Sequence, residues 1–480
     1  MKLPFPASLC AVMAGLLMGC AAPGETILAA DEARLATGGD LAKYHYLVRQ
    51  PYSLGLNHEG FIVGIEKTPK GLIGYPFGRN YDDKRFKLWD ETPGEAQYLE
   101  ARNAHFKRVT SDPKSVFVSH ILEYGFDAKG TVRFDVRPLY LAYRSSGFAG
   151  PRSDTPCVTE GGEKKEYVNS WKALDCLKVA VDKMLAAAGQ TENPYTHLIV
   201  ASMGWNNDQV ESVRRYNALA GNLISQARLG GTAEGRKFNP LIIGLTWPSV
   251  WGGDSFFNTV NLFAHLISYP NKADDADEIG YTIANYLVNK IVGELKRDYG
   301  FKTVLIGHSF GARIISRAMF SAHLLNVPPK VVGEATDLML NLQGAYSIRR
   351  YKENHRLPFP ASLFSKGEGS PYLMHKKLSA KTILTWSVGD TANPLAQFVT
   401  GAAHAGGEAG YEESLEMKET FTQLEWITGT KIRPDCAAYR DDGKILMVNA
   451  NSFVKDHNDI LDQEMGDFIW QIISCFTYPR

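Results

Sequence analysis

From about residue 165 onward, short apolar strands alternate with amphipathic helices, and this alternation limits the folds open to the chain more than any other feature. The apolar runs lie at residues 197–201, 240–246, 303–306, 338–342, 382–386 and 445–448. Between them, apolar residues recur at helical spacing, as with Val210, Val213 and Ala220. Because a helix that crosses back over a sheet brings in the next strand parallel to the last, the pattern predicts an α/β fold with a mostly parallel central sheet.

A glycine-flanked serine stands between one of these strands and the helix that follows it. The motif is Gly307-His308-Ser309-Phe310-Gly311, with a predicted strand over 302–306 and a predicted helix over 312–322. A tight turn at this junction exposes the serine hydroxyl, and the two glycines leave room where side chains would collide. A serine hydroxyl is a poor nucleophile until a base removes its proton. The context therefore predicts Ser309 as a nucleophile and calls for a base elsewhere in the chain.

The same turn predicts where negative charge on a substrate oxygen would be held. The N–H groups at the start of the helix favour an anion, so Phe310 is expected to supply one donor. A second donor is expected from the loop after the earlier strand, where Met203 and Gly204 stand. The sequence thus predicts an oxyanion hole made of Phe310, Met203 and Gly204.

An acid is expected after the nucleophile. In folds with such a strand–serine–helix turn, the catalytic residues follow one another along the chain as serine, acid and histidine. Asp390 directly follows the strand at 382–386, so its carboxylate would lie at the carboxyl edge of the sheet, where ligands gather. The alternative is that Asp390 only forms a turn after Gly389. We predict Asp390 as the catalytic acid.

The base is expected from the C-terminal part of the chain. His457 follows the last predicted strand at the start of the final helix, whereas the competing His404 precedes that strand. Chain order therefore favours His457. Asp456 and Asp459, which flank it, are expected to cap the helix rather than orient the base. His308 is expected to pack rather than react.

Several of these motifs resemble a known family. The chain resembles bacterial α/β hydrolases of uncharacterised function that carry a His-Gly-aromatic-Asn loop, through the segments Gly204-Trp205-Asn206-Asn207, Trp247-Pro248-Ser249, Gly307-His308-Ser309-Phe310-Gly311 and Ser387-Val388-Gly389-Asp390. The resemblance covers roughly residues 165 to 475. Met203 stands where the family usually has His. The resemblance implies an α/β-hydrolase fold and a Ser309, His457 and Asp390 triad.

The N-terminus has the features of a lipoprotein leader. Lys2 precedes an apolar run over 9–18 that is too short to span a bilayer. The run ends in Leu17-Met18-Gly19-Cys20-Ala21-Ala22, which resembles a bacterial lipobox. We expect a signal peptide over 1–19, lipidation of Cys20 and a tether over 20–40, which together predict an outer-membrane lipoprotein in a bacterial envelope. A plain secretory signal cleaved near Ala22 is the alternative.

The remainder of the chain divides into two predicted parts. Residues 41–160 are rich in aromatics, Gly and Pro and are expected to form a β-rich extension, whereas residues 161–480 form the hydrolase domain. An insertion over 345–380 is long enough to be a lid. An exported chain permits disulfides. The simplest pairing joins Cys157 to Cys176 and Cys436 to Cys475, although four cysteines allow three connectivities.

Charge and residue spacing exclude other classes of protein. Lys+Arg and Asp+Glu both number 52, so the chain lacks the basic excess of a nucleic-acid-binding protein. Its His, Cys, Asp and Glu residues do not have the spacing of a metal site. Neither a metal nor another cofactor is therefore expected. The oligomeric state is not predicted.

These features predict hydrolysis of a carboxylic ester, from a lipid or a small molecule, through an acyl-enzyme. A thioesterase or acyltransferase would use the same groups on a different acceptor. A second class of protein is a catalytically silent envelope-binding protein, suggested by Met203 and the unmatched N-terminal region. Six aromatic residues are predicted near the catalytic edge, as an acyl pocket or as core: Trp205, Trp247, Trp251, Phe256, Phe257 and Phe310.

Overall fold

The computed structural model describes residues 45–67, 116–126, 134–142, 166–204, 207–234, 237–249, 272–273, 275–322, 335–352, 372, 379–394, 397, 401–426, 438–439 and 443–478. Several predicted features lie outside these ranges. They are the signal peptide, Cys20, the tether, most of the 345–380 insertion, Cys157, Cys436, Trp205, Trp251, Phe256 and Phe257.

Ten strands of the described chain form one sheet. They are β1 (Gly60–Lys67), β2 (Val116–Phe126), β3 (Phe134–Leu141), β4 (His197–Ser202), β5 (Pro240–Thr246), β6 (Lys302–His308), β7 (Leu338–Leu342), β8 (Lys381–Trp386), β9 (Phe421–Glu425) and β10 (Ile445–Asn449). Their order across the sheet is β3-β2-β1-β5-β4-β6-β7-β8-β10-β9.

The sheet is mostly parallel, which places the protein in the α/β class. Every neighbouring pair from β1 to β9 in the sheet order is parallel, and β2 pairs antiparallel with both β1 and β3. Strands β4, β5, β7 and β8 are buried along their whole length. This follows from their apolar composition, because a parallel sheet covered on both faces requires strands without a polar side.

The helices are α1 (Tyr46–Arg49), α2 (Glu166–Gly189), α3 (Gln209–Glu234), α4 (Gly293–Tyr299), α5 (Phe310–Met319), α6 (Glu408–Leu415) and α7 (Gln463–Phe476), with a 3₁₀ turn over Ile348–Tyr351. Helices α2, α4 and α5 contribute to the core on one face of the sheet. Helices α3 and α7 pack against each other and cover the other face. Alternate residues of a strand serve the two cores, as Val200 and Ile199 do in β4.

Strands from the predicted N-terminal extension belong to this same sheet. β1 pairs in parallel with β5, so residues on both sides of the predicted boundary at 160 share one core. Helix α3 strengthens the link, because Gln209 Oε1 accepts a hydrogen bond from Leu47 N at 2.9 Å and Asn217 Nδ2 donates to Gly55 O at 2.8 Å. The described strands of this segment, β1 to β3, therefore belong to the central sheet.

The helical segment before β6 is partly π-helical, which makes it wider than a regular α-helix. Two π-helical stretches, Gly280–Ala284 and Tyr286–Val292, precede α4. Here Asn285 Nδ2 donates to Ser321 O at 2.7 Å, and Asn289 Nδ2 donates to Ala318 O at 2.8 Å. These buried amides join the segment to the end of α5 and the residues after it, which periodicity alone does not show.

The two described cysteines, Cys176 and Cys475, are both disulfide-bonded. Cys176 lies on α2 and Cys475 on α7, which cover opposite faces of the sheet, so these two are not joined to each other. The predicted connectivity stays a prediction, since the other two cysteines lie outside the described residues. Within the described ranges, no helix combines the length and apolar character needed to cross a bilayer.

The direction of the chain connections reverses near the middle of the sheet. After β4 the chain moves outward to β5, and it later returns to β6 on the other side of β4. The loops that follow β4 and β6 therefore leave the sheet in opposite directions. In open α/β sheets, ligands bind at such a point, beyond the carboxyl ends of the strands.

Candidate active site

Ser309 occupies a strained turn at the end of β6. Its φ of 55° and ψ of −120° lie in a region that non-glycine residues rarely adopt. Three backbone hydrogen bonds hold it there: its N–H donates to Leu342 O at 3.0 Å, and its carbonyl accepts from Ala312 N and Ala345 N, both at 3.1 Å. Strain of this kind persists only when the surroundings over-determine the conformation, and it concentrates at functional sites.

The glycines on either side of the serine allow backbones to approach closely. A Cβ on Gly307 would lie 2.4 Å from Ala312 Cα, and one on Gly311 would lie 2.0 Å from Ser202 O. Neither neighbouring atom can rotate away, because both belong to the backbone. The predicted reason for these two glycines therefore agrees with the packing.

A substitution tests this close approach. Gly311→Ala is expected to lower the free energy of unfolding by about 3 kcal/mol, because the new methyl group must push β4 and α5 apart. Gly221→Ala is the matched control: its added Cβ would meet no atom within 4 Å, so this change in α3 is expected to stabilise by about 0.5 to 1 kcal/mol. Chemical denaturation of both variants measures the difference, and equal effects would contradict the expectation.

The predicted oxyanion loop lies against the serine. Strands β4 and β6 pair with Ser202 opposite Gly307, which brings Gly204 beside Ser309. A Cβ on Gly204 would lie 2.5 Å from Ser309 Cβ and 2.9 Å from its Oγ. Phe310, the first residue of α5, and Met203 are both buried next to this contact. The three predicted oxyanion residues therefore surround the serine.

Trp247 and Ser249, which follow β5, and Asn207, which lies in the same loop, hold this loop in place. Trp247 Nε1 donates to Met203 O at 2.9 Å, and Asn207 Nδ2 donates to Gly204 O at 3.0 Å. Ser249 Oγ accepts from Asn207 N at 3.0 Å and donates to Asn207 O at 2.6 Å. The sequence offered Asn207 and Ser249 only as parts of a family motif. Their role as braces of the loop depends on contacts across 42 residues.

Asp390 and His457 are brought together at the same edge of the sheet. His457 Nδ1 lies 2.9 Å from both oxygens of the Asp390 carboxylate. Backbone N–H groups of Ala392 and Asn393 also donate to Asp390 Oδ1, at 3.1 and 3.0 Å. The carboxylate is buried, whereas the imidazole is 14% exposed. A buried carboxylate fixed in this way can orient an imidazole and stabilise it when protonated.

The loop that carries His457 is irregular and precedes α7 by several residues. The prediction that Asp456 and Asp459 cap the final helix is wrong. Asp456 Oδ1 accepts from Asn458 N at 2.6 Å and Asp459 Oδ2 from Lys455 N at 2.9 Å, so both side chains close turns within the loop. Their short side chains compete for nearby backbone N–H groups before the helix can begin at residue 463.

His308 connects the serine turn to the His457 loop. Its Nε2 donates to His457 O at 2.7 Å, and the two imidazole rings lie 4.9 Å apart between centroids. Burial, followed by the neighbouring His457, holds the pKa of His308 well below its ordinary value. His308 is therefore neutral at neutral pH. It packs, as predicted, and it also positions the backbone of the residue that contacts Asp390.

The competing histidine, His404, contacts a neighbour of Asp390. It is buried, and its Nδ1 lies 3.1 Å from Asn393 Oδ1. Asn393 in turn donates to Asp390 Oδ2 at 2.6 Å. His404 is therefore linked to the Asp390–His457 pair through the Asn393 side chain.

The described aromatic residues near the serine belong to the core. Trp247 and Phe310 are both buried, with ring centroids 6.4 Å apart. In the described ranges, no three His, Cys, Asp or Glu side chains come together in an arrangement that could hold a metal ion.

Comparison with known proteins finds little similarity. No family model matches the chain, and no curated protein matches it. Among solved structures, the chain is similar to a lipase-esterase related protein from Clostridium acetobutylicum ATCC 824, with 11% identity over 59% of this chain and 95% of that chain and a TM-score of 0.24. A TM-score this low does not establish a shared fold.

Proposed function

We propose that the protein is a serine hydrolase that cleaves carboxylic esters through an acyl-enzyme, with Ser309 as nucleophile, His457 as base and Asp390 as acid. The observation that carries the proposal is the strained Ser309 turn, whose preceding residue, His308, contacts the loop of the Asp390–His457 pair. The Ser309 turn follows β6 and the Asp390 loop follows β8, so both lie beyond the carboxyl ends of parallel strands, where ligands bind in open α/β sheets. The same features favour an α/β-hydrolase fold for the sheet.

The proposed reaction begins when Ser309 Oγ attacks the acyl carbon and His457 Nε2 takes its proton. Asp390 orients the imidazole and stabilises the imidazolium. Backbone N–H groups of Phe310 and of the Met203 and Gly204 segment stabilise the oxyanion, and each such donor typically lowers the barrier by about 3 kcal/mol. His457 then protonates the leaving alcohol. Water, deprotonated by the same imidazole, attacks the acyl-serine and releases the acid.

We propose that the mature protein is exported and held in a bacterial envelope by acyl chains on Cys20. The short apolar leader and the lipobox-like run support this location. Several buried acyl chains bind a bilayer stably, since each methylene contributes about 0.8 kcal/mol. A small-molecule or lipid ester would be accessible to an enzyme in that location.

Reaction with a fluorophosphonate probe tests the nucleophile. The protein expressed from residue 21 is expected to gain one covalent phosphonate on Ser309, because the probe reacts only with an activated serine. Ser309→Ala is expected to remain unlabelled, and Ser316→Ala, which changes another buried serine on α5, should label normally. Peptide mass spectrometry locates the adduct. An unlabelled wild-type protein would favour the catalytically silent binding protein.

A chain-length series of activated esters then separates hydrolases from one another. We expect measurable turnover of short acyl chains, with a preference that reports the depth of the pocket. Thioester substrates and alcohol acceptors, tested in parallel, distinguish a thioesterase or an acyltransferase from an esterase, since all three share the acyl-enzyme.

A further inference from the structure

Asn393 lies between the proposed acid and a buried histidine. It follows Asp390 by three residues, in a short helical turn, and it is 2% exposed. Its Nδ2 is 2.6 Å from Asp390 Oδ2 and 3.4 Å from Gln343 O, while its Oδ1 is 3.1 Å from His404 Nδ1. Both polar atoms of this side chain therefore have partners, one in the same loop and two from other parts of the chain.

The partners determine which way the amide is turned. An ionised carboxylate and a backbone carbonyl can only accept hydrogen bonds, so the NH₂ group of Asn393 must face Asp390 and Gln343. Its oxygen then faces His404, which must donate from Nδ1. A proton on His404 Nδ1 supports this orientation of the amide, which directs a donor at Asp390 Oδ2.

The segment around His404 is hydrogen-bonded to the residues that follow β7, next to the serine turn. Ala405 N donates to Tyr346 O at 2.9 Å, and Gly406 N donates to Gly344 O at 3.0 Å. Gln343 has a φ of 44°. In the described chain, Gln343 and Ser309 are the two non-glycine residues with a positive φ. The register of β6 and β7 places Gln343 beside Ser309. Strained backbone at Ser309 and Gln343, and the buried polar contacts of Asn393, therefore link the serine turn to His404.

We infer that Asn393, held in place by His404, is a positioning residue that holds the Asp390 carboxylate with both oxygens toward His457 Nδ1. The inference deepens the proposed function and rests on the same site. Two backbone donors fix Oδ1 of the carboxylate, but of the described contacts to Oδ2, only those of His457 and the Asn393 side chain are close. Removing the amide donor frees the carboxylate to rotate about its Cβ–Cγ bond.

The proton on His457 Nδ1 gives a direct readout in the resting protein. A proton held between an imidazole and a carboxylate resonates far downfield and exchanges slowly with water. We expect such a resonance in the wild-type protein and its absence in His457→Ala, which assigns it. Asn393→Leu and His404→Phe keep the side-chain volume but remove the donors Asn393 Nδ2 and His404 Nδ1. In both variants the downfield resonance is expected to broaden, because its proton exchanges faster with water. His404→Gln, which restores an amide donor, should recover part of it.

Two matched controls separate positioning from general damage to the core. Asn289→Leu removes a buried amide that bonds to Asn285 Oδ1 and Ala318 O, and His197→Phe removes a buried imidazole that contacts Thr477 Oγ1. Neither residue contacts the site. Both controls are expected to lose stability comparably to the test variants and to keep the downfield resonance.

Ester kinetics give the second readout. Because the carboxylate acts on the chemical step and does not touch substrate, Asn393→Leu and His404→Phe are expected to lower kcat by up to about 100-fold with KM unchanged. An unaltered downfield resonance of the His457 Nδ1 proton in both Asn393→Leu and His404→Phe would overturn the inference. Wild-type protein that keeps the resonance but shows neither ester turnover nor fluorophosphonate labelling would instead overturn the proposed function.

Discussion

Replacing His457 by alanine is expected to lower kcat/KM for hydrolysis of an activated ester by about 10⁶-fold, since a serine without its base is nearly inert. The fold should be retained, because the side chain lies in an irregular loop and is 14% exposed. A substrate series at fixed pH measures the rate, and circular dichroism with thermal unfolding checks the fold. Ser309→Ala is expected to cause a similar loss, because the two residues act as one unit.

The same experiment decides between the two candidate bases. In the described contacts, His404 is linked to Asp390 through Asn393, so His404→Phe is expected to cost at most about 100-fold. The two histidine variants should therefore differ by roughly four orders of magnitude. A larger loss in His404→Phe than in His457→Ala would reverse the assignment of the base.

Replacing Asp277 by asparagine is expected to lower the free energy of unfolding by about 3 to 5 kcal/mol, because it removes one partner from a buried ion-pair network. Arg350 donates to both carboxylate oxygens, at 2.8 and 2.9 Å, and Arg313 Nη2 donates at 2.8 Å. Arg317 Nε lies 3.4 Å away. These side chains join α5, which begins directly after Ser309, to the 3₁₀ turn over Ile348–Tyr351. All of them are buried.

The loss in Asp277→Asn is expected to depend on pH. Burial alone raises the pKa of Asp277, but Arg313, Arg350 and Arg317 together outweigh it and hold that pKa far below its ordinary value. A carboxyl group with a depressed folded-state pKa stabilises the protein fully above its unfolded value of about 3.9. The difference between wild type and variant should thus be constant near neutrality and shrink as the pH falls below about 3.9.

Urea denaturation at pH 7 and at pH 3 measures this difference. Glu123→Gln is the matched control, because Glu123 pairs with Arg137, whose side chain is 55% exposed. An ion pair that is open to water contributes about 0 to 1 kcal/mol. If the two variants lost equal stability at neutral pH, the network around Asp277 would not have the structural role described for it.

Much of the fold was predictable because its signals are local. Among the strands predicted from residue 165 onward, the runs at 240–246 and 338–342 coincide with β5 and β7, and the others differ from the observed strands by one or two residues at an end. Strand β9 was not predicted. It lies at the edge of the sheet, and most of its residues are only partly buried, so Phe421–Glu425 lacks the apolar run that marks a central strand.

The sequence by itself determined the class of fold, the strand–serine–helix junction and the chain order of Ser309, Asp390 and His457. The first two depend on residues a few positions apart, whose periodicity or small size acts on the local backbone, and the chain order can be read directly from the sequence. Only the tertiary structure decided that β4 lies beside β6, that Gly204 contacts Ser309, and that Asp390 meets His457 across 67 residues of chain. It also decided that His404 contacts Asn393, which in turn contacts Asp390. These contacts depend on strand neighbours and buried partners far apart in the chain, which no local pattern specifies.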